Sequence, residues 1–240
     1  MIRTVFLITS AINTKFGVYS KEDRLKQTLD TIASVKKFVP DARIFLLEMA
    51  GIPLNETQLS ALSSEVESVL DFTNDTDVVE LYNSTDNWDV VKNVTEVMCF
   101  NKALKRLYTD AGKFENVDRI FKLSGRYLLN DQFDLSYYGN YKVQNQIVVG
   151  VSRDSQFPYE LTLIKRQYMS RLWSWPANLT NEVISVYDRS LVYMGERLAN
   201  RGYADIEHVL YKFLDSDKLL EKQVLGVQGN ISPNGIAVRD

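Results

Sequence analysis

Apolar, β-branched stretches alternate with amphipathic stretches through the first half of this chain. Residues 4–12 and 43–49 are rich in Val, Ile, Leu and Phe, which is typical of strands covered on both faces. Between them, Ser20 and Asp23 fit a helix N-cap and its first-turn partner, apolar positions follow at helical spacing, and Pro40 ends the helix. This alternation predicts an α/β fold with a mainly parallel central sheet flanked by helices.

The rest of the chain is divided by the same patterns. Further strands are predicted at residues 78–82, 118–129, 146–151 and 160–164. Further helices are predicted at residues 55–70, 89–108, 180–200 and 205–214. Residues 222–238 are predicted to form a strand and loops. No linker-like stretch or repeat interrupts the chain, so we expect a single domain over residues 1–240.

Charge and cysteine content exclude several classes of protein. The 28 basic and 31 acidic residues give a net charge of -3, which argues against a broad nucleic-acid-binding face. A single cysteine cannot form an internal disulfide, and with one histidine it cannot build a zinc cluster. The apolar run at residues 5–8 is too short for a signal peptide or a membrane span, so we expect a cytoplasmic protein without a transmembrane segment.

Ligands of parallel sheets bind outside the carboxyl ends of the strands, so the residues there are the first candidates. Ser10 follows the first strand, where small residues let a ligand approach the backbone, and a plain polar loop is the alternative. Glu48 ends the second strand, where a carboxylate could accept hydrogen bonds from a ribose or a base, or simply be solvated. There is no G-x-G-x-x-G or P-loop motif, which makes a dinucleotide dehydrogenase or P-loop enzyme an unlikely class.

The end of the fourth predicted strand carries the most informative residues. Lys122 is followed by Ser124, Gly125 and Arg126. The glycine would allow close approach of a ligand, and the guanidinium is suited to phosphate oxygens. A surface arginine beside a turn glycine is the alternative.

Short motifs in chain order resemble those of GT-A-type glycosyltransferases of the capsule and virus type. F-K-L-S-G-R-Y at 121–127 resembles their K-[IL]-S-G-R-Y segment, D-I-E-H at 205–208 their late helix, and G-V-Q-G-N at 226–230 their closing strand. The resemblance implies a single GT-A-like (Rossmann-like) domain that moves a sugar from a nucleotide-sugar donor to a hydroxyl of an acceptor glycan. Residues 1–130 would then form the donor-binding half and residues 131–240 the acceptor-binding half.

The resemblance also implies roles for individual residues. Ser10 and Glu48 would lie against the nucleoside, and Arg24 would face the diphosphate. Lys92 and Glu96, one helical turn apart, would reach the donor sugar or diphosphate. The alternatives are a solvated helix charge for Arg24 and a surface ion pair for Lys92 and Glu96.

One departure from the family concerns the metal. GT-A enzymes usually carry Asp-x-Asp at the end of the fourth strand to hold Mg²⁺ or Mn²⁺, and Ser124-Gly125-Arg126 stands there instead. An Asp-Thr-Asp at residues 75–77 lies in a run that is typical of a polar turn. Arg126, with Lys122 or Lys92, could offset the diphosphate charge instead, so metal-dependent and metal-independent transfer both remain open.

Glu207 is the main candidate for the catalytic base, since inverting transfer needs a carboxylate within hydrogen-bond reach of the acceptor hydroxyl and the resemblance favours this residue. Asp205 fits a helix N-cap, which places Glu207 in the first helical turn. An acidic residue there also stabilises the helix dipole, which is the structural alternative. Asp154 is the second candidate base, and His208 could contact a phosphate or orient Glu207.

Two other functions remain: a non-catalytic nucleotide-sugar-binding or scaffold domain, and a sugar nucleotidyltransferase, which usually needs a Gly-rich loop that residues 9–14 lack.

Overall fold

A computed structural model describes residues 2–110, 112–230 and 237–240. The strands are β1 (Thr4–Ser10), β2 (Arg43–Glu48), β3 (Ser68–Asp71), β4 (Arg119–Ser124), β5 (Tyr127–Leu129), β6 (Ile147–Gly150), β7 (Arg153–Asp154), β8 (Arg166–Gln167), β9 (Leu172–Pro176), β10 (Leu219–Lys222), β11 (Val227–Asn230) and β12 (Ala237–Arg239). The helices are α1 (Lys21–Phe38), α2 (Glu56–Ser63), α3 (Thr76–Ser84), α4 (Trp88–Thr109), α5 (Leu135–Tyr138), α6 (Tyr159–Thr162), α7 (Thr180–Ala199) and α8 (Ile206–Phe213).

The central sheet has seven strands in the order β10-β6-β9-β4-β1-β2-β3. β3, β2, β1 and β4 are parallel, β10 is parallel to β6, and β9 is antiparallel to both of its neighbours. This confirms the predicted mainly parallel sheet. The chain order reverses between β1 and β4, and the carboxyl ends of these two strands border the crevice where such sheets bind ligands.

Helices cover both faces of the sheet, and the alternation of side chains along β1 shows why. Val5 and Leu7 belong to the apolar cluster that contains residues of α4, α7 and α8, whereas Phe6 and Ile8 belong to the cluster that contains residues of α1. All four side chains are fully buried. Each such burial stabilises the fold by about 1.5–3 kcal/mol, which accounts for the continuous apolar character of the strand.

The first helix begins and ends as the sequence predicts. The Ser20 hydroxyl accepts a hydrogen bond from the Asp23 N–H, and the Asp23 carboxylate accepts one from the Ser20 N–H. This reciprocal cap satisfies two N–H groups that the helix itself cannot pair. The last helical residue is Phe38, before Pro40.

The predicted third strand at residues 78–82 is wrong, because this segment is helix α3. The Asp75 carboxylate accepts from the Asp77 N–H and caps the helix, and Val78 and Tyr82, four residues apart, are its buried positions. The third strand is instead β3, at residues 68–71. The helix predicted over residues 55–70 therefore ends early, at Ser63.

Two further predictions of strands need correction. The predicted strand over residues 118–129 is divided at Gly125 into β4 and β5, and β5 pairs with β11 in a separate sheet. Residues 160–164 are not a strand, since 159–162 form the short helix α6. Arg197 of α7 donates to the carbonyls of Glu160 and Leu161, which the helix leaves without internal partners.

The remaining expectations concern the second half and the membrane. β6, α7 and α8 lie where they were predicted, whereas part of the predicted 222–238 segment, residues 231–236, lies outside the described residues. Within the described ranges, no helix has both the length and the apolar character needed to cross a membrane.

We predict that Asp75→Ala lowers the free energy of unfolding by about 1–2 kcal/mol, because it removes the cap of α3. The same carboxylate is also ion-paired with Lys102, at 2.6 Å. Urea denaturation followed by circular dichroism measures the loss. Asp77→Ala is the control, because the Asp77 side chain is 60% exposed and its pair with Lys102 adds little. Equal losses in the two variants would contradict the assignment of Asp75 as the cap.

Candidate active site

A cavity of about 330 Å³ opens at the carboxyl ends of β1 and β4. We call it the donor cavity. Its walls come from the loops after β1, β2 and β4 and from α1, α3 and α4. They are formed by residues 9–11, 14–17, 24, 28, 49–50, 82, 88, 91–92, 95–96 and 124–126.

Ser10 lines the donor cavity, but Glu48 lies behind its wall. The Glu48 carboxylate is fully buried and accepts from the Ser10 hydroxyl at 2.5 Å and from the N–H groups of Ile12 and Ala50 at 2.9 and 3.2 Å. Burial raises the pKa of Glu48 to about 7, although these hydrogen bonds favour the ionised form. In this position Glu48 holds together the two loops that form the floor of the cavity.

Arg24 lines the donor cavity from α1 while its guanidinium holds the loop above β1. It donates to the carbonyls of Phe16 at 2.9 Å, Ala11 at 3.3 Å and Tyr19 at 3.4 Å. Burial lowers the pKa of Arg24, and the nearby Arg126 charge lowers it further. Arg24 thus shapes the loop and adds positive charge to the cavity at the same time.

Lys122 and Glu96 form a buried ion pair between β4 and α4. The ammonium Nζ lies 2.7 Å from Glu96 Oε1 and also donates to the Ser124 hydroxyl and the Ser170 carbonyl, both at 2.7 Å. Its three N–H groups therefore all have acceptors. Burial alone would raise the pKa of Glu96, but Lys122, Lys92 and Arg126 outweigh it and lower that pKa. Lys122 is fully buried and lines neither this cavity nor the next one described below, so it acts on the site through Glu96 and Ser124.

The turn after β4 brings Arg126 to the cavity. The Gly125 N–H donates to the Thr9 carbonyl at 2.7 Å, and a Cβ at Gly125 would lie only 2.8 Å from that oxygen. The glycine is therefore required by the close contact between this turn and β1. The turn in this form places Ser124, Gly125 and Arg126 in the wall of the donor cavity.

A second cavity, of about 640 Å³, adjoins the first. We call it the acceptor cavity. Trp88, Lys92, Glu96, Ser124 and Arg126 line both cavities, so they form a shared wall. The rest of its lining comes from α4, Tyr127 of β5, β7 and the loop after it, Gln167 of β8 and the segment that follows it, and the start of α8.

Glu207 lines the acceptor cavity from the first turn of α8. Its Oε1 accepts from the Ser170 hydroxyl at 2.6 Å. Burial raises the pKa of Glu207, the neighbouring Asp205 raises it further, and Lys92 and the Ser170 hydrogen bond oppose this rise. A carboxylate with a raised pKa next to a cavity holds a proton more readily than an ordinary glutamate, which suits a general base.

Asp154 and His208 have different surroundings. The Asp154 side chain is 92% exposed at the rim of the acceptor cavity and lies 3.4 Å from Arg166. His208 is fully buried and lines neither cavity. Its Nδ1 lies 2.5 Å from Asp205 Oδ1, and its Nε2 lies 2.8 Å from the Ser155 hydroxyl. His208 thus joins the start of α8, which carries Glu207, to the loop after β7.

Several residues of the site were missed by the sequence analysis. Arg153, Arg171 and Trp88 line the acceptor cavity, and Lys15 and Tyr82 line the donor cavity. Lys15 closes the loop over the donor cavity by donating from its backbone N–H to the Tyr82 hydroxyl at 2.5 Å and from Nζ to the Tyr82 carbonyl at 2.9 Å. No motif marks these residues, and whether each side chain reaches a cavity depends on how its element packs in the fold.

Comparison with known proteins identifies the fold but no sequence family. No protein-family model matches the chain, and no curated protein gives a significant match. Core-mannan synthase A (CmsA/Ktr4) from Aspergillus fumigatus, in its Mn/GDP form, superposes with a TM-score of 0.55 at 6% identity, over 97% of this chain and 75% of that one. An active-site mutant of LgtC superposes with a TM-score of 0.55 at 10% identity, over 90% of this chain and 72% of that one. Both are GT-A glycosyltransferases, and this chain shares their fold.

The residues at the end of β4 do not fit a divalent cation. Such a cation prefers several oxygen ligands, and the carboxylate that reaches this turn, Glu96, is already paired with Lys122 and lies near Lys92 and Arg126. Asp75 and Asp77 are paired with Lys102 on another part of the molecule. Over residues 2–110, 112–230 and 237–240, no group of three or more His, Cys, Asp or Glu side chains is arranged to hold a metal ion.

We predict that Glu48→Gln changes how stability depends on pH. The pKa of Glu48 is about 7 in the fold and near its ordinary 4.5 in the unfolded chain, so between these values the folded chain holds a proton that the unfolded chain releases. Wild-type stability therefore loses up to about 1.4 kcal/mol per pH unit from this residue as the pH rises through that window. The glutamine oxygen can accept from Ile12 and Ala50, and its NH2 group can donate to the Ser10 hydroxyl oxygen. Because this side chain does not titrate, the stability of the variant relative to wild type should grow over the same window.

Denaturation in urea at pH 4.5 to 7.5 measures this difference. Glu22→Gln is the control, because the Glu22 side chain on α1 is 72% exposed. A pH-independent difference between Glu48→Gln and wild type would contradict the raised pKa.

Proposed function

We propose that this chain is a glycosyltransferase that moves a sugar from a nucleotide-sugar donor to a hydroxyl of an acceptor glycan. The observation that carries the proposal is the pair of cavities that share a cationic wall at the carboxyl ends of β1 and β4, with Glu207 in the second cavity. The GT-A fold supports it, as does the presence of Mn and GDP in the core-mannan synthase structure with the same fold. A donor and an acceptor that met at this wall would have their reacting atoms side by side.

The donor would occupy the first cavity. Its walls come entirely from residues 9–126, in agreement with a donor-binding half at residues 1–130. The nucleoside would lie against Ser10 and the loops held by Glu48. Arg126 and Lys92, in the shared wall, would face the diphosphate, and Arg24 would add charge from α1.

The acceptor would occupy the second cavity, to which residues 153–207 contribute along with the shared wall. Glu207 would take the proton of the acceptor hydroxyl as its oxygen bonds to the anomeric carbon. The bond from that carbon to the diphosphate breaks, and the electron pair leaves with the phosphate oxygen. Arg126 and Lys92 would offset the charge that develops there, a role for which no divalent cation is needed.

A thermal-shift screen with UDP-, GDP-, CMP- and dTDP-sugars tests the proposal. Stabilisation by one class of nucleotide sugar, followed by sugar transfer with that donor, would support it. Stabilisation only by a nucleoside triphosphate with a sugar phosphate would instead support a nucleotidyltransferase, and no response to any nucleotide would support a scaffold domain.

We predict that Arg126→Ala weakens donor affinity by about 10- to 100-fold, because it removes charge-assisted hydrogen bonds to the diphosphate. Isothermal titration with the responding nucleotide sugar, in buffer containing EDTA, measures the change. Arg106→Ala, at the exposed end of α4, is the control. Unchanged affinity in Arg126→Ala would refute its role. Activity that vanished in EDTA and returned with Mn²⁺ would refute metal-independent transfer.

We predict that Glu207→Gln lowers kcat by about 10²- to 10⁴-fold while donor affinity stays close to wild type, because the amide cannot accept the proton. In the wild type the rate should fall as the pH drops through the raised pKa of Glu207, since the carboxylate must be ionised. Steady-state kinetics across pH measure both effects. Asp154→Asn is the matched comparison, and a larger loss there than in Glu207→Gln would identify Asp154 as the base.

A further inference from the structure

Two arginines in the acceptor cavity share one carboxylate. Arg171 and Arg153 both line the cavity, and each is ion-paired with a different oxygen of Asp240; the Arg153 pair measures 2.8 Å. One side-chain carboxylate cannot accept from all the N–H groups of two guanidinium groups, so several of these donors have no acceptor on Asp240.

Arg171 shows that this arrangement is built into the fold. Its side chain is only 7% exposed, and its guanidinium lies 5.5 Å above the Tyr127 ring. One nitrogen, Nη1, donates to Asp240, and within the described part of the chain the other N–H groups of the guanidinium have no protein acceptor. A charged group is costly to bury unless its hydrogen bonds are satisfied, so a buried guanidinium with unused donors at a cavity wall is a ready site for an oxyanion.

Arg153 completes this pair from the opposite side of Asp240. Its side chain is 53% exposed, so its remaining N–H groups are open to solvent at the cavity. As with Arg171, the only protein acceptor it has in residues 2–110, 112–230 and 237–240 is Asp240. The two arginines hold one carboxylate already, which shows that their spacing suits such a group.

Within the described residues, the other carboxylates of the cavity lining form no ion pair with Arg153 or Arg171. Glu96 is paired with Lys122, Asp154 with Arg166 and Asp205 with His208. Asp89 and Glu207 are the remaining carboxylates of the lining, and Lys92 acts on both of them. The unused N–H groups of Arg153 and Arg171 are therefore open to a ligand in the cavity.

We infer that the acceptor is an anionic sugar whose acidic group binds Arg171 and Arg153 beside Asp240. This inference rests on the proposed function and adds the chemical class of the acceptor. A carboxylate, as in a uronic acid, or a phosphate on the sugar supplies the oxyanion. Bound there, it fixes the sugar in the cavity that Glu207 also lines, so the same pair of arginines determines acceptor specificity.

Binding of matched small glycosides tests the inference. Methyl glucuronide and methyl glucuronamide differ in charge but have nearly the same shape, and methyl glucoside 6-phosphate supplies the phosphate form. Their affinities are measured by ligand-observed NMR with the full chain, with and without the nucleotide found in the donor screen. We expect the acid to bind at least 10-fold more tightly than the amide, and the phosphate arm shows which oxyanion is preferred.

Two variants attribute the selectivity to the arginines. Arg153→Gln removes an exposed charge, and Arg171→Lys keeps the charge but loses the planar fork, so each should reduce the preference for the acid to less than 3-fold. Arg189→Gln on α7, whose guanidinium contacts backbone carbonyls away from both cavities, should leave it unchanged.

Equal binding of acid and amide, binding of none of the three glycosides, or an unchanged preference in both variants would overturn the inference. The thermal-shift screen with nucleotide sugars tests the proposed function independently of these glycosides. A normal nucleotide response together with any of these results would reject the anionic acceptor and leave glycosyl transfer standing, whereas the loss of the nucleotide response would reject the proposed function itself.

Discussion

The buried ion pair between Lys122 and Glu96 is the interaction on which the rest of the site depends. It joins the central strand β4 to the long helix α4, and these two elements, with the turn after β4, carry the wall between the cavities. Removing one partner of such a pair costs about 3–5 kcal/mol, because the other is left charged and buried. The pair is tolerated here because Ser124 and Ser170 accept the two remaining N–H groups of the ammonium.

The charges around this pair divide into those that are used within the fold and those that are available to a ligand. Lys122 and Glu96 neutralise each other, and Arg24 is engaged by three backbone carbonyls. Arg126 and Lys92 have no ion-pair partner among the described residues, and both face the junction of the cavities. This is the reverse of the acidic arrangement that a divalent cation requires, and it is suited to a diphosphate instead.

Short-range patterns in the sequence predicted much of the fold. They failed where the same pattern of residues fits both a helix and a strand. The strands β1 and β2 and the capped helix α1 followed from apolar runs and a capping box. Val78 to Tyr82 satisfied a strand pattern equally well, and only the Asp75 cap and the packing of two residues four apart made it helix α3. Strand ends indicated Ser10 and Arg126, which line the donor cavity, whereas Glu48 and His208, also candidates from the sequence, line neither cavity.

The sequence by itself determined the elements β1, α1 and β2, the long helices α4 and α7, the mainly parallel sheet and the edge of that sheet where polar residues gather. These features depend on periodicity and caps, which act over a few residues. Tertiary structure alone decided that Glu96 would meet Lys122, that Glu207 would face a cavity, and that Arg153 and Arg171 would share Asp240. Such pairs join residues tens of positions apart, and their contact depends on how whole elements pack and on where each side chain points.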